Sequence, residues 1–164
     1  MKRLNELYGV KLHDPYMDKS IYKDPTICPE CKLIYHNKRW VRDEKFMEKL
    51  SKNKKEVDYK KCPACRKTQD DYPLGVLRLK GSYIKTKKRE ILNLIRNEAE
   101  FEEKRNPLAR IMKIEEEDEG LLIKTTTESL ARRLGRAVDK AHHGELSYSF
   151  SDTQKLLRVE WRKD

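Results

Sequence analysis

Four cysteines, and only four, stand in this chain of 164 residues, and they fall into two Cys-Pro-x-Cys pairs, Cys28-Pro29-Glu30-Cys31 and Cys62-Pro63-Ala64-Cys65. Two thiolates separated by two residues can reach one ion from a tight turn, and a second such pair completes a tetrahedron. In a reducing compartment this spacing favours a metal over a disulfide. The expectation is one structural zinc ion on Cys28, Cys31, Cys62 and Cys65. Four thiolates close the shell and leave no position for water or substrate, so the ion is expected to hold structure and not to catalyse. His36, five residues past Cys31, could replace one thiolate. With the shell already full, a solvated or packing role is expected of it.

The second chemistry is positive charge. Lys and Arg number 38 against 28 Asp and Glu, a net charge of +10. A thermophilic surface would explain the density of charge but not its sign, so a polyanion is the expected partner, nucleic acid first. Three sets of cations stand out. Arg132, Arg136 and Lys140 recur every four residues, with Arg133 beside them, opposite the apolar stripe Leu130/Leu134/Val138. They make a basic helix ridge suited to phosphate oxygens. Arg78 and Lys80, with Arg158 and Arg162, alternate with core residues on two strands and are expected on one open sheet face, a phosphate-backbone platform. Lys85-Thr86-Lys87-Lys88-Arg89 opens a helix where the dipole prefers acids. Tyr35, Arg39 and Trp40 could stack on bases, but Trp40 is expected to pack over the metal core. Stacking aromatics of the RNA-recognition-motif kind are missing from the sheet.

No constellation for catalysis accompanies these charges. Phosphate-cradling glycine loops, HExxH and GxSxG are all absent. His142 and His143 are adjacent on a helix and point about 100° apart. The acidic run Glu115–Glu119 reads as solvated charge on a turn. A non-enzymatic protein without a small-molecule substrate is therefore expected. No 20-residue apolar run and no signal-like pattern occurs, so neither a membrane span nor a secretory leader is expected, and cytoplasm is the default.

Three segments position these groups. Residues 1–26 read as an arm punctuated by Pro15 and Pro25, with Tyr8, Tyr16 and Tyr22 scattered among charges. Residues 27–74 hold the cysteines, a hairpin turning at Asn37-Lys38 and a short charged helix over 43–56 striped by Phe46, Met47 and Leu50. This is a small four-cysteine zinc module, ribbon or treble-clef-like. Residues 75–164 alternate as a strand from Gly75 to Ile84, turn helical from Lys87 to Arg105, and stop at Pro107. Two strands follow around Glu117-Asp118-Glu119-Gly120. A capping box at Thr125 and Glu128 opens a second helix, which Gly144 stops. Two more strands close the chain. The order is that of a ferredoxin-like β-α-β-β-α-β domain with an extra strand, helices on one face and the other face open. The expected fold class is α+β.

The segments CPECKLIYHNKRW, CPACRK, EILNLIRNEAE, LLIKTTT with LARRLGRAV, and LLRVEW together resemble small bacterial and archaeal proteins related to the NMD-type adaptor of the large ribosomal subunit. The resemblance covers roughly residues 27–164. It implies a zinc-containing, ribosome-associated protein of subunit assembly, quality control or mRNA decay, with structured RNA, ribosomal RNA or a ribosomal subunit as partner. Residue by residue it supports only the four cysteines. The eukaryotic adaptors have further Cys-x-x-Cys pairs and transport signals that this sequence lacks, so nuclear export is not implied. The competing expectation is a zinc-stabilised protein–protein adaptor without nucleic-acid binding. A zinc-dependent hydrolase and a DNA-binding regulator are the remaining alternatives.

Overall fold

The computed structural model describes residues 13–18, 21–53 and 56–164. Tyr8 and most of the arm, and the end of the charged segment at 54–55, lie outside the described residues. A 3-10 turn at Pro15–Met17 precedes four short strands: β1 (Thr26–Ile27), β2 (Ile34–His36), β3 (Arg39–Val41) and β4 (Asp58–Tyr59). They form one sheet in the order β3-β2-β1-β4, antiparallel except for β1 against β4. The β2–β3 hairpin turns where expected. Asn37 and Lys38 both adopt positive φ, 52° and 62°, which matches the right-handed twist of the two strands. Helix α1 (Glu44–Lys52) is capped by Asp43, which accepts from the Phe46 amide at 3.0 Å, and buries no residue fully. Helix α2 (Pro63–Asp70) carries the second cysteine pair.

The larger layer follows as β5 (Gly75–Lys80), α3 (Ser82–Arg105), β6 (Ile111–Glu117), β7 (Gly120–Thr125), α4 (Glu128–His142), β8 (Glu145–Phe150) and β9 (Leu157–Arg162). The sheet order is β6-β7-β5-β9-β8. Leu77 and Leu79, Leu121 and Ile123, and Leu157, Val159 and Trp161 point to one face. There they meet Ile84, Ile91 and Ile95 of α3 and Leu130, Leu134 and Val138 of α4 in one continuous core. The period-2 and period-3.6 patterns converge on this layer because each element has only one apolar side to bury.

Several details differ from expectation. The extra strand is not added at an edge: β9 lies between β5 and β8 and runs parallel to β5, beside otherwise antiparallel pairs. The first strand ends at Lys80, not Ile84. Gly81, at φ 112°, makes a turn that other residues rarely adopt. Tyr83 and Ile84 therefore belong to α3, which begins five residues earlier than its periodicity indicated and departs from helical geometry at Lys87. The capping residue of α4 is Thr127, whose hydroxyl accepts from the Leu130 amide at 3.2 Å. Thr125 is buried and donates to the Gly75 and Thr127 carbonyls. His143, not Gly144, supplies the left-handed residue ending α4 (φ 52°). Gly144 is needed for space, since a Cβ there would lie 2.5 Å from Trp161 Cε2.

The two layers are bonded together. The connection enters through Leu74, which extends the β5 ladder, its amide donating to the Thr125 carbonyl and its carbonyl accepting from the Leu157 amide. Lys67 of α2 is 3% exposed; its ammonium lies 2.5 Å from Asp14 Oδ2 and donates to the Thr126 carbonyl at 3.0 Å. Asp14 thus fastens the described part of the arm to α2, and Lys67 ties α2 to the second layer.

Candidate metal centre

Each cysteine pair is presented by a different device. Cys28 follows β1, and its turn closes with the Cys28 amide donating to the Leu33 carbonyl and the Lys32 amide to the Cys28 carbonyl. Lys32 takes a positive φ of 65° at this turn. Cys62 caps α2: its sulfur accepts from the Cys65 amide at 3.4 Å, and Pro63 occupies the first turn, where no amide is needed. The second pair therefore sits at a helix N-terminus, where aligned peptide dipoles favour thiolate.

All four sulfurs lie within 4.8 Å of one another. Cys31 Sγ and Cys62 Sγ are 3.7 Å apart. Four sulfurs around zinc at about 2.3 Å would be about 3.8 Å apart along each edge, whereas a disulfide needs about 2.05 Å. No disulfide forms. The four cysteines could hold a metal ion, and their spacing fits one. Crowding splits their acidities. Hydrogen bonds from Cys31 and Cys62 hold the Cys28 thiol well below its ordinary value. Hydrogen bonds to Cys28 and Cys31, with burial, drive Cys62 well above it. Burial, then repulsion from Cys31 and Cys28, pushes Cys65 up to about 11. Four sulfurs this close cannot all be anions without a compensating cation.

An apolar shell closes over the cluster. Leu33 is fully buried, and Tyr22, Tyr35 and Trp40 are nearly so. Trp40 lies edge-on to Tyr22 at 4.8 Å between centroids, so Trp40 packs as expected and neither it nor Tyr35 is available for base stacking. His36 is not in the thiol cluster. Its Nδ1 pairs with Asp24 at 2.7 Å and its ring lies against Phe46.

Sequence reasoning missed Arg110. It comes from the short segment between α3 and β6, yet its guanidinium reaches Cys31 Sγ at 3.1 Å, Cys65 Sγ at 3.5 Å and Cys62 Sγ at 3.9 Å. Burial pulls this guanidinium's pKa down, but hydrogen bonds and attraction from the sulfurs outweigh it, and the pKa stands above its ordinary value. The only trace in sequence is an arginine between a helix-ending Pro107 and the next strand. Lys67 and Thr126 were missed likewise, as no periodicity marks them.

The eight cations expected to bind RNA divide into two sets. On the sheet, Arg78 pairs with Glu117 at 3.1 Å, Lys80 with Glu160 at 3.3 Å and Arg162 with Asp164 at 3.7 Å. Arg133 faces α3 and forks onto Glu98 and Glu102. Arg132, Arg136, Lys140 and Arg158 have no ion pair among the described residues. The acidic run is a solvated turn only at Asp118 and Glu119, which are exposed between β6 and β7. Glu115, Glu116 and Glu117 lie on β6 and pair with Lys113 and Lys124, with Lys88, and with Arg78. In the basic run Lys85–Arg89, Lys87 pairs with Glu90. His142 hydrogen-bonds Tyr83 at 2.7 Å. A cleft of about 730 Å³ runs between β3 and the end of α3, where Arg39, Arg42, Lys104 and Arg105 stand beside Glu100 and Glu103.

Among the described residues no helix is long and apolar enough to cross a membrane. Compared with family models, with curated proteins and with solved structures, the chain finds no match in any of the three.

Proposed function

We propose that this is a non-enzymatic zinc protein that binds structured RNA, ribosomal RNA or a ribosomal subunit first, in the cytoplasm. The observation that carries the reading is the ridge on α4. Arg136 and Lys140 are exposed, Arg132 stands 6.0 Å from the Tyr148 ring centroid, and none of the three is neutralised by a described acid. A row of cations without counterions is suited to phosphates spaced along a backbone. The cations of the cleft add to the same field. The sheet platform is reduced to Arg158, because Glu117 of β6, Glu160 of β9 and Asp164 pair its neighbours. Zinc is the ion we assign, from four thiolates at tetrahedral spacing. One pair on a turn before a hairpin and the other on a helix's first turn support reading the module as treble-clef-like. The second domain is read as ferredoxin-like with β9 inserted. The resemblance to the NMD-related proteins points the same way, toward subunit assembly, quality control or mRNA decay.

The charge-paired sheet favours one other reading, the protein adaptor, since an internally neutralised face can meet a protein without repelling it. Sedimentation of tagged protein with cell extract at low and high salt separates them. Co-migration with a ribosomal subunit that fades as salt rises is expected. Arg132→Glu with Arg136→Glu should weaken it and flatten the salt dependence by roughly one unit of slope per lost contact, without lowering the melting temperature. Salt-resistant association with a protein, and none with RNA, would leave the adaptor.

A further inference from the structure

We propose that Arg110 completes the metal site from the second domain, so that metal loading fastens the two layers of the molecule to each other. The inference rests on the metal reading and not on RNA binding. Its first ground is geometric. The Arg110 amide donates to Thr126 Oγ1 at 2.8 Å, and the Thr126 amide donates back to the Arg110 carbonyl at 2.9 Å. Nε donates to the Pro107 carbonyl at 2.9 Å and lies 3.3 Å from Glu103. With backbone and Nε held inside its own domain, the fork aims both terminal nitrogens at the sulfurs of the other.

The second ground is charge. Four thiolates around a dication carry two net negative charges in a site whose members are buried or half-buried. A guanidinium spanning three of the sulfurs removes one of these charges and satisfies sulfur lone pairs with charge-assisted hydrogen bonds. Protonated thiols offer the same guanidinium much less, so Arg110 is held best by the loaded cluster. By reciprocity the cluster is held best when Arg110 is docked. The third ground is position. Leu108 packs against the cysteine cluster, and Thr126 accepts from Lys67 through its carbonyl while bonding Arg110 through its hydroxyl and amide. The metal site and the inter-layer joint therefore share residues.

The test uses the full chain. Metal is quantified by elemental analysis, its release to an excess of a chromogenic chelator is timed, and amide exchange at Thr126 is followed with and without chelator. Arg110→Met should release metal on the order of ten times faster, as loss of an outer hydrogen-bond partner does at other metal sites. Lys85→Met is the control: it removes an exposed cation of α3 away from the cysteines, and should release metal at the wild-type rate. In the wild type, chelation should speed Thr126 exchange while core amides of α4 stay protected. Arg110→Lys keeps the charge without the fork and should fall between Met and wild type; it also serves should Arg110→Met fail to fold. A metal-loaded variant at position 110 that releases at the wild-type rate, or Thr126 protection unmoved by chelation, overturns the proposal and leaves the metal reading standing. Wild-type protein purified without metal and unable to take up zinc overturns both.

Discussion

The two layers of this protein are held by different physics. The cysteine layer has seven residues in its buried cluster, two of them ligand candidates, and its strands are two or three residues long. The second layer buries fifteen, from Leu77 to Trp161, across five strands and two helices. At about 1.5–3 kcal/mol for each fully buried aliphatic or aromatic side chain, the second layer has a core sufficient to fold. The first does not, and small layers of that kind draw on a metal. On the metal reading proposed above, the cysteines would be what holds the smaller layer together while the core of the larger stands without them, and Arg110 would join the two.

The largest expected effect comes from removing a thiolate. Cys62→Ser should release the metal and unfold residues 27–74, while far-UV circular dichroism retains the α3 and α4 signal. Retained metal and an unchanged melting profile would sink the four-cysteine assignment. The converse cut is Leu134→Ala, which opens a cavity under α4 and should cost about 2–5 kcal/mol in denaturant unfolding. In the folded variant the metal content should be unchanged, and metal loss in step with unfolding of the second layer would mean that the layers fold as one unit.

Thr127→Ala removes the hydroxyl cap of α4 and should cost about 1 kcal/mol. Thr125→Ser, which keeps a hydroxyl at the residue that is not the cap, should cost less. The smallest effect concerns pH in the cysteine layer. Hydrogen bonds from His36 and the Asn37 amide hold the exposed Asp24 carboxyl below its usual range, against a smaller opposing effect of burial. A carboxylate with a depressed folded-state pKa stabilises fully above its unfolded value, near 3.8. That contribution is lost as pH falls through the folded value. An NMR titration should place Asp24 below 3.8 in the wild type and at an ordinary value in His36→Ala.

Much of this was legible beforehand. Each cysteine pair is local, so spacing alone indicates that its two sulfurs can share an ion. The Asn37-Lys38 turn, the α4 stripe and the alternation of β9 are local too, because side-chain period and turn chemistry are properties of consecutive residues. Boundaries were less legible: Tyr83 fits a strand face until Gly81 turns the chain, and three consecutive threonines offer three possible caps. The ion pairs across the sheet could not be read at all. Arg78 and Glu117 are 39 residues apart in sequence, and they meet because β7 sets β6 two strands from β5.

By itself, then, the sequence determined the thiol chemistry, the excess of positive charge and the succession of strands and helices, since each is written in composition or in short-range period. Only the tertiary structure decided which cations stand in ion pairs among the described residues, where the last strand inserts, and that an arginine 45 residues beyond Cys65 lies against its sulfur. Those outcomes depend on strand order and layer docking. Both are fixed by the packing of all the apolar faces together, and no single stretch of chain encodes them.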